Sequence, residues 1–113
     1  MRILVCGGRD LVATPEVYSA LAEHIHPWDV VIAGGARGAD FIGSEFARGL
    51  GCEVVVYNAD WQKHGRAAGP IRNQQMLVEG KPELVLAFPG GKGTADMLRR
   101  ARSAGLQIVE VDE

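Results

Sequence analysis

The sequence predicts an α/β protein: a three-layer sandwich around a doubly wound, five-stranded parallel sheet in the order 3-2-1-4-5. Three observations lead there. Short β-branched apolar runs alternate with longer segments of helical period along the 113 residues. The runs are too apolar to face water on either side, the mark of parallel strands covered by helices on both faces. The 15 glycines cluster where strands hand over to helices instead of forming a linker. Right-handed crossovers then wind the chain both ways from its first strand.

Each element follows from its own residues. Arg2 to Cys6 (RILVC) reads as a buried strand. Pro15 to His26 reads as a helix: Thr14 is suited to the N-cap, Pro15 to the first helical position, and Val17, Leu21 and Ile25 share one face. Asp29 to Ala33 is a second strand, and Ala39 to Leu50 a second helix ended by Gly51. Glu53 to Tyr57 is a third strand, followed by an irregular polar stretch from Asn58 to Ala67. Ala68 to Glu79 is a third helix, with Pro70 confined to its first turn. Glu83 to Phe88 is a fourth strand, Thr94 to Ala104 a helix ended by Gly105, and Gln107 to Val111 a fifth strand. Trp28 and Phe46 are expected to be core or packing aromatics, and Met76 a core residue.

Bulk properties narrow the function classes. Hydrophobic residues make up 47% and charged residues 23%, ordinary figures for a soluble globular domain spanning residues 1–113. The net charge of −2 gives no general attraction to nucleic acid or to an acidic membrane. No basic segment followed by a long apolar stretch opens the chain, and no apolar run is long enough to span a bilayer. Cys6 and Cys52 stand apart, each beside an apolar run, and read as buried free thiols of a reducing cytoplasm. No metal site and no cofactor is expected.

The chemistry concentrates at one edge of the sheet. The first strand runs into Gly7-Gly8-Arg9-Asp10, the second into Gly34-Gly35-Ala36-Arg37-Gly38-Ala39-Asp40, and the fourth into Pro89-Gly90-Gly91-Lys92-Gly93-Thr94. Glycine lets the backbone come close to a ligand. A helix start offers unpaired N–H groups and the positive end of a dipole, which together favour phosphate. One such loop could be packing alone. Three at the edge where strand order reverses, the usual ligand crevice of such sheets, point to a nucleotide or another phosphate-bearing ligand. The GxxxxGK[ST] spacing of an ATP-hydrolysing loop is missing, and no loop fits GxGxxG with its partner acid, which excludes those two classes.

A fourth segment, Ala59 to Met76, feeds the same crevice. Arg72 can hold a phosphate with a two-pronged fork, and Asn73 can bond a ribose or a base edge. Trp61 either stacks on a base or lies half-buried under its loop. His64 is an acid–base candidate or a solvated group, and Lys63 and Arg66 read as solvated, with a phosphate contact as the lesser reading. Asp40 and Asp96 each suit a first helical turn as caps, with a ligand contact as the other reading of Asp40. Asp10 is placed to pair with Arg9.

These motifs, in this order, resemble the YspA-like branch of the SLOG superfamily. The superfamily includes the Lonely Guy phosphoribohydrolases, the molybdenum-cofactor carrier proteins and the DprA DNA-processing proteins. The resemblance implies a Rossmann-like fold with a nucleotide or nucleotide-sugar ligand. It implies binding by Gly7, Gly8, Arg9, Asp10, Gly34, Gly35, Arg37, Asp40, Trp61, Arg72, Asn73, Pro89, Gly90, Gly91, Gly93 and Thr94. Lonely Guy enzymes cleave the N-glycosidic bond of nucleoside 5′-monophosphates with a PGGxGTxxE motif and an upstream arginine. Here Arg72 and Pro89 to Thr94 match, but Met97 stands at the glutamate position, and a thioether cannot do a carboxylate's work. Arg72 and Asp96 are the candidate catalytic groups if hydrolysis occurs. A sensor or carrier domain is therefore expected first, and a nucleotide N-glycosidase second. Single-stranded DNA binding, suggested by the DprA-like ARGAD and Arg72-Asn73 segments, ranks third, since aromatics are only 6%. By the same resemblance a homodimer or higher homo-oligomer is expected.

Overall fold

The computed structural model describes residues 1–112. Its sheet has five parallel strands: β1 (Arg2–Cys6), β2 (Val30–Gly34), β3 (Glu53–Tyr57), β4 (Leu84–Ala87) and β5 (Gln107–Glu110). Their spatial order is β3-β2-β1-β4-β5, as the sequence predicts. Between them run α1 (Pro15–His24), α2 (Ala39–Leu50), α3 (Trp61–His64), α4 (Ala68–Gly80) and α5 (Lys92–Ser103).

The alternation of side chains along a strand divides the core in two. Ile3 and Val5 of β1 join Val31, Leu84 and Leu86 beneath α1 and α2, where Val17, Leu21 and Ala47 close the layer. Leu4 and Cys6 turn the other way and join Ile32, Val85 and Ala87 beneath α4 and α5, where Met76, Met97 and Ala101 close it. This is why β1 and β4 read as continuous apolar runs. The outer strands β3 and β5 carry exposed Glu53, Val56, Gln107 and Glu110, since each has one open edge.

Several boundaries differ from the sequence expectation, each for a local reason. Helix α1 stops at His24, because Ile25 turns extended ahead of the His26-Pro27 pair. Strand β2 begins at Val30, because the side chain of Asp29 accepts from the Met1 ammonium at 3.0 Å and the His26 amide at 2.8 Å. The stretch expected to be irregular holds α3 and a 3-10 turn, Gly65–Ala67. Asp60 caps α3 by accepting from the Lys63 amide at 3.1 Å. Four residues are too few to show a helical period in sequence. Helix α5 starts at Lys92, not Thr94, so Asp96 lies beyond the first turn and is not a cap. Trp28 is not inside: it is 76% exposed, its ring stacked on His26 with centroids 5.0 Å apart. Phe46 does pack against the core, and Met76 is buried within it.

Candidate functional site

The three glycine loops meet where strand order reverses, beyond the carboxyl ends of β1, β2 and β4. Backbone bonds lock them together. Gly8 donates its N–H to the Pro89 carbonyl at 2.9 Å, and Ala39 donates to the Gly8 carbonyl at 3.1 Å. Gly38, at φ +75°, lies against the Gly8 and Arg9 carbonyls so closely that a Cβ would overlap both. The first two loops thus serve one another, and their glycines are accounted for by packing. Gly91 and Gly93 differ: a Cβ on either would meet nothing within 4 Å. They stand open at the start of α5.

A cleft of about 510 Å³ opens beside them. That falls within the roughly 300–1,000 Å³ of small-molecule sites. Its floor is apolar, made by Cys6, Met76 and Met97. One wall is the beginning of α5, from Gly91 through Thr94. The first intrahelical bond there runs from the Ala95 N–H to the Gly91 carbonyl at 3.0 Å. The amides of Lys92, Gly93 and Thr94 therefore have no carbonyl of their own helix to bond. Arg9, Trp61, Arg66 and Arg72 line the cleft as well, with the Arg9 guanidinium 5.6 Å from the centre of the Trp61 ring.

Arg72 and Asp40 crowd the same glycine. A Cβ on Gly34 would sit 2.5 Å from Arg72 Nη1 and 2.8 Å from Asp40 Oδ2. Arg72 donates Nη1 to the Tyr57 carbonyl at 3.4 Å and Nε to Asn73 Oδ1 at 3.3 Å, both long. Burial lowers its pKa, and Asp40 partly restores it. Asp40 is buried, and its Oδ2 accepts from the Ala36 amide at 3.2 Å, so it closes the second loop and does not cap the first turn of α2. Burial pushes the Asp40 carboxyl up to about 6, against the opposing hydrogen bond from Ala36 and the charges of Arg72 and Arg9.

Asp96 is held differently. It accepts from Asn73 Nδ2 at 3.0 Å, from Arg100 Nε at 2.8 Å and from Arg99 Nη2. Burial alone would raise its pKa, but the bonds from Arg100 and Asn73 and the charges of Arg100 and Arg99 hold it below the usual carboxylate value. It is an ionised, fully engaged link between α4 and α5. Asn73, itself buried, donates also to the Gly93 carbonyl at 3.2 Å and so braces the start of α5.

The cleft gathers Gly7, Gly8, Arg9, Asp40, Trp61, Arg72, Asn73, Gly91, Gly93, Thr94 and Asp96 from the residues singled out in the sequence. Gly35 and Arg37 line an adjoining second cleft, with Arg9, Trp61 and Arg72 shared. Pro89 and Gly90 face a third, on the far side of the β4 loop. Asp10 lines none of them; it pairs with Arg37 at 3.6 Å, not with Arg9, whose guanidinium lies over the Trp61 ring. His64 and Lys63 also line none. Sequence reasoning missed Cys6 and Asn58 as lining residues and did not assign Lys92 a contact, while Arg66, read there as solvated, and Met97, placed there at the hydrolases' acid position, both line the main cleft. Cys6 and Asn58 carried one signal, their place at a strand's carboxyl end. Among the described residues, no group of three or more His, Cys, Asp or Glu could hold a metal ion, and no helix is long and apolar enough to cross a membrane.

Fold and cleft together define a Rossmann-like α/β protein with a glycine-loop site at its topological switch. Comparison with known proteins gives the family. The model of the YspA, cpYpsA-related SLOG family matches residues 1–64, and the chain belongs to that family. The Gene 61 protein of Mycobacterium phage D29 is 39% identical over 118 residues, covering 96% of this chain and 94% of that protein. Among solved structures, an NADH-dependent reductase A1-R′ complexed with NAD matches with a TM-score of 0.51 at 14% identity. That match covers 96% of this chain and 57% of the reductase chain, a likeness of fold.

Proposed function

We propose that the chain binds a nucleotide or nucleotide-derived ligand in the main cleft, as a small sensor or carrier. The observation that carries this reading is the start of α5, where three amides have no helical partner and whose residues line one cleft with Arg9, Arg66 and Arg72 and apolar Cys6, Met76 and Met97. A phosphate at Lys92, Gly93 and Thr94 gains the helix dipole and those N–H groups. Arg72 is half-buried, and its weak internal bonds leave it free to turn toward an anion. The floor of Cys6, Met76 and Met97 suits the flat apolar face of a base or ribose. Membership of the SLOG family supports the same reading.

Thermal denaturation with AMP, other nucleoside monophosphates, NAD and ADP-ribose tests it. A ligand that binds only the folded state raises the apparent stability, by about 2.7 kcal/mol at a hundredfold excess over Kd. The rise should shrink in Arg72→Ala. Absence of any shift across the panel would defeat the reading.

A second reading, hydrolysis of a nucleotide's N-glycosidic bond, is favoured by one feature. Asp40 lines the cleft beside Arg72 with a pKa pushed up to about 6, near what proton transfer at neutral pH needs. Met97 stands buried where the related hydrolases carry their acid, so Asp40 is the carboxyl available for that role. Free base released from AMP by the wild type and not by Asp40→Asn would establish it.

A further inference from the structure

The second cleft adjoins the main one and differs from it in charge. It encloses about 370 Å³ and is lined by Arg9, Arg37 and Arg72 together with Asn58 and Trp61. No carboxylate is among the described residues that line it, whereas the main cleft sets Asp40 and Asp96 against its cations. Three arginines thus line one opening in a chain whose net charge is −2. A concave site lined by one sign of charge concentrates the opposite ion. Their present partners are poor. Asp10 meets Arg37 at 3.6 Å with both side chains largely exposed, and the Arg72 bond to Tyr57 is 3.4 Å long. Arg9 is steadied over the Trp61 ring, at the boundary that both clefts share.

We propose that the second cleft is a second anion subsite. It takes a further phosphate of the nucleotide-derived ligand whose first phosphate lies at the start of α5, so it rests on the reading above. Arg9, Ala36, Trp61 and Arg72 line both clefts, and one ligand can therefore reach both without leaving the protein surface. Planar guanidiniums suit a phosphate's paired oxygens.

Isothermal titration of AMP, adenosine 3′,5′-bisphosphate and ADP-ribose into the wild type and three variants tests this. Arg37 lines only the second cleft and is exposed, so Arg37→Ala should fold normally. At least one two-phosphate ligand should bind about tenfold or more tighter than AMP, as one charge-assisted contact allows. Arg37→Ala should abolish that advantage and leave AMP unchanged. Asp10→Ala, which releases Arg37, should increase it. Arg48→Ala removes the same charge from the last turn of α2, far from the cleft, and should change nothing. Preference for the 3′,5′-bisphosphate would place the second phosphate across the ribose; preference for ADP-ribose would place it in a diphosphate. Equal affinity for AMP and both two-phosphate ligands would overturn the subsite while leaving the nucleotide reading intact. So would an Arg37→Ala effect that is nil, or equal for every ligand. Failure of all three ligands to bind the wild type would overturn both.

Discussion

Replacing Asp40 by asparagine should stabilise the protein at neutral pH, with the gain vanishing in acid. The residue is 8% exposed, and burial raises its pKa from the ordinary 3.8 to about 6 despite the Ala36 amide, Arg72 and Arg9. The unfolded chain keeps the ordinary value. Between the two values the folded state binds more protons than the unfolded one, so stability falls as pH rises. The penalty is absent below 3.8, grows through the interval and is complete above about 6. A rise of that size, at about 1.4 kcal/mol per tenfold, corresponds to about 3 kcal/mol. Asparagine has no charge to desolvate, and its amide oxygen can still accept from Ala36. Urea unfolding of both proteins between about pH 4 and about pH 7.5 measures the difference. The advantage of Asp40→Asn should grow by about 2.5 kcal/mol across that range and then level. A flat difference would show that burial does not penalise the carboxylate. A reversed one would show that attraction to Arg72 and Arg9 outweighs burial.

Three further outcomes test other parts of the structure. Gly34→Ala places a methyl 2.5 Å from Arg72 Nη1 and must displace the guanidinium; melting with and without nucleotide should show a stability loss of about 1–3 kcal/mol and a lost ligand response. Leu21→Ala empties a fully buried position between α1 and the sheet, far from the cleft; it should lower stability by about 2–5 kcal/mol in urea while any nucleotide-induced stabilisation persists. Burial pushes the Cys6 thiol up to about 12 and raises that of Cys52 also; a thiol reagent at about pH 8 should label neither in the native protein and both in urea. Rapid native labelling of Cys6 would show the floor of the cleft to be open.

The Asp96 cluster shows how the site's rigidity is distributed. Arg100 lies one helical turn beyond Asp96 and so pairs with it along α5. Asn73 reaches the same carboxylate from α4 and also holds the Gly93 carbonyl. Because both carboxylate oxygens of Asp96 and the side-chain amide of Asn73 are partnered, the brace behind the proposed phosphate wall is set before any ligand arrives. Arg72 is loosely held by comparison, and this contrast matches a fixed anion cradle with an adjustable counter-charge.

Much of this was open to reading from residues alone, because it depends on neighbours in sequence. The period of the apolar runs marks strand against helix, and two-sided apolarity in Leu4 and Val5 marks a covered parallel sheet. Handedness of the crossovers then leaves few strand orders. Glycine loops at strand ends locate the crevice. Short or exposed features escape that logic: α3 has too few residues for a period, and Trp28 has the same apolar ring whether it faces the core or stacks on His26 in water. The cleft floor escapes it as well, since Cys6, Met76 and Met97 follow a core pattern and only the gap between α4 and α5 exposes an edge of them. The sequence by itself determined the sheet, its order and the edge at which a ligand would sit. Only the tertiary structure divided the polar side chains of that edge among separate clefts, because Arg72 against Asp40 and Asn73 against Asp96 are contacts between elements far apart in the chain.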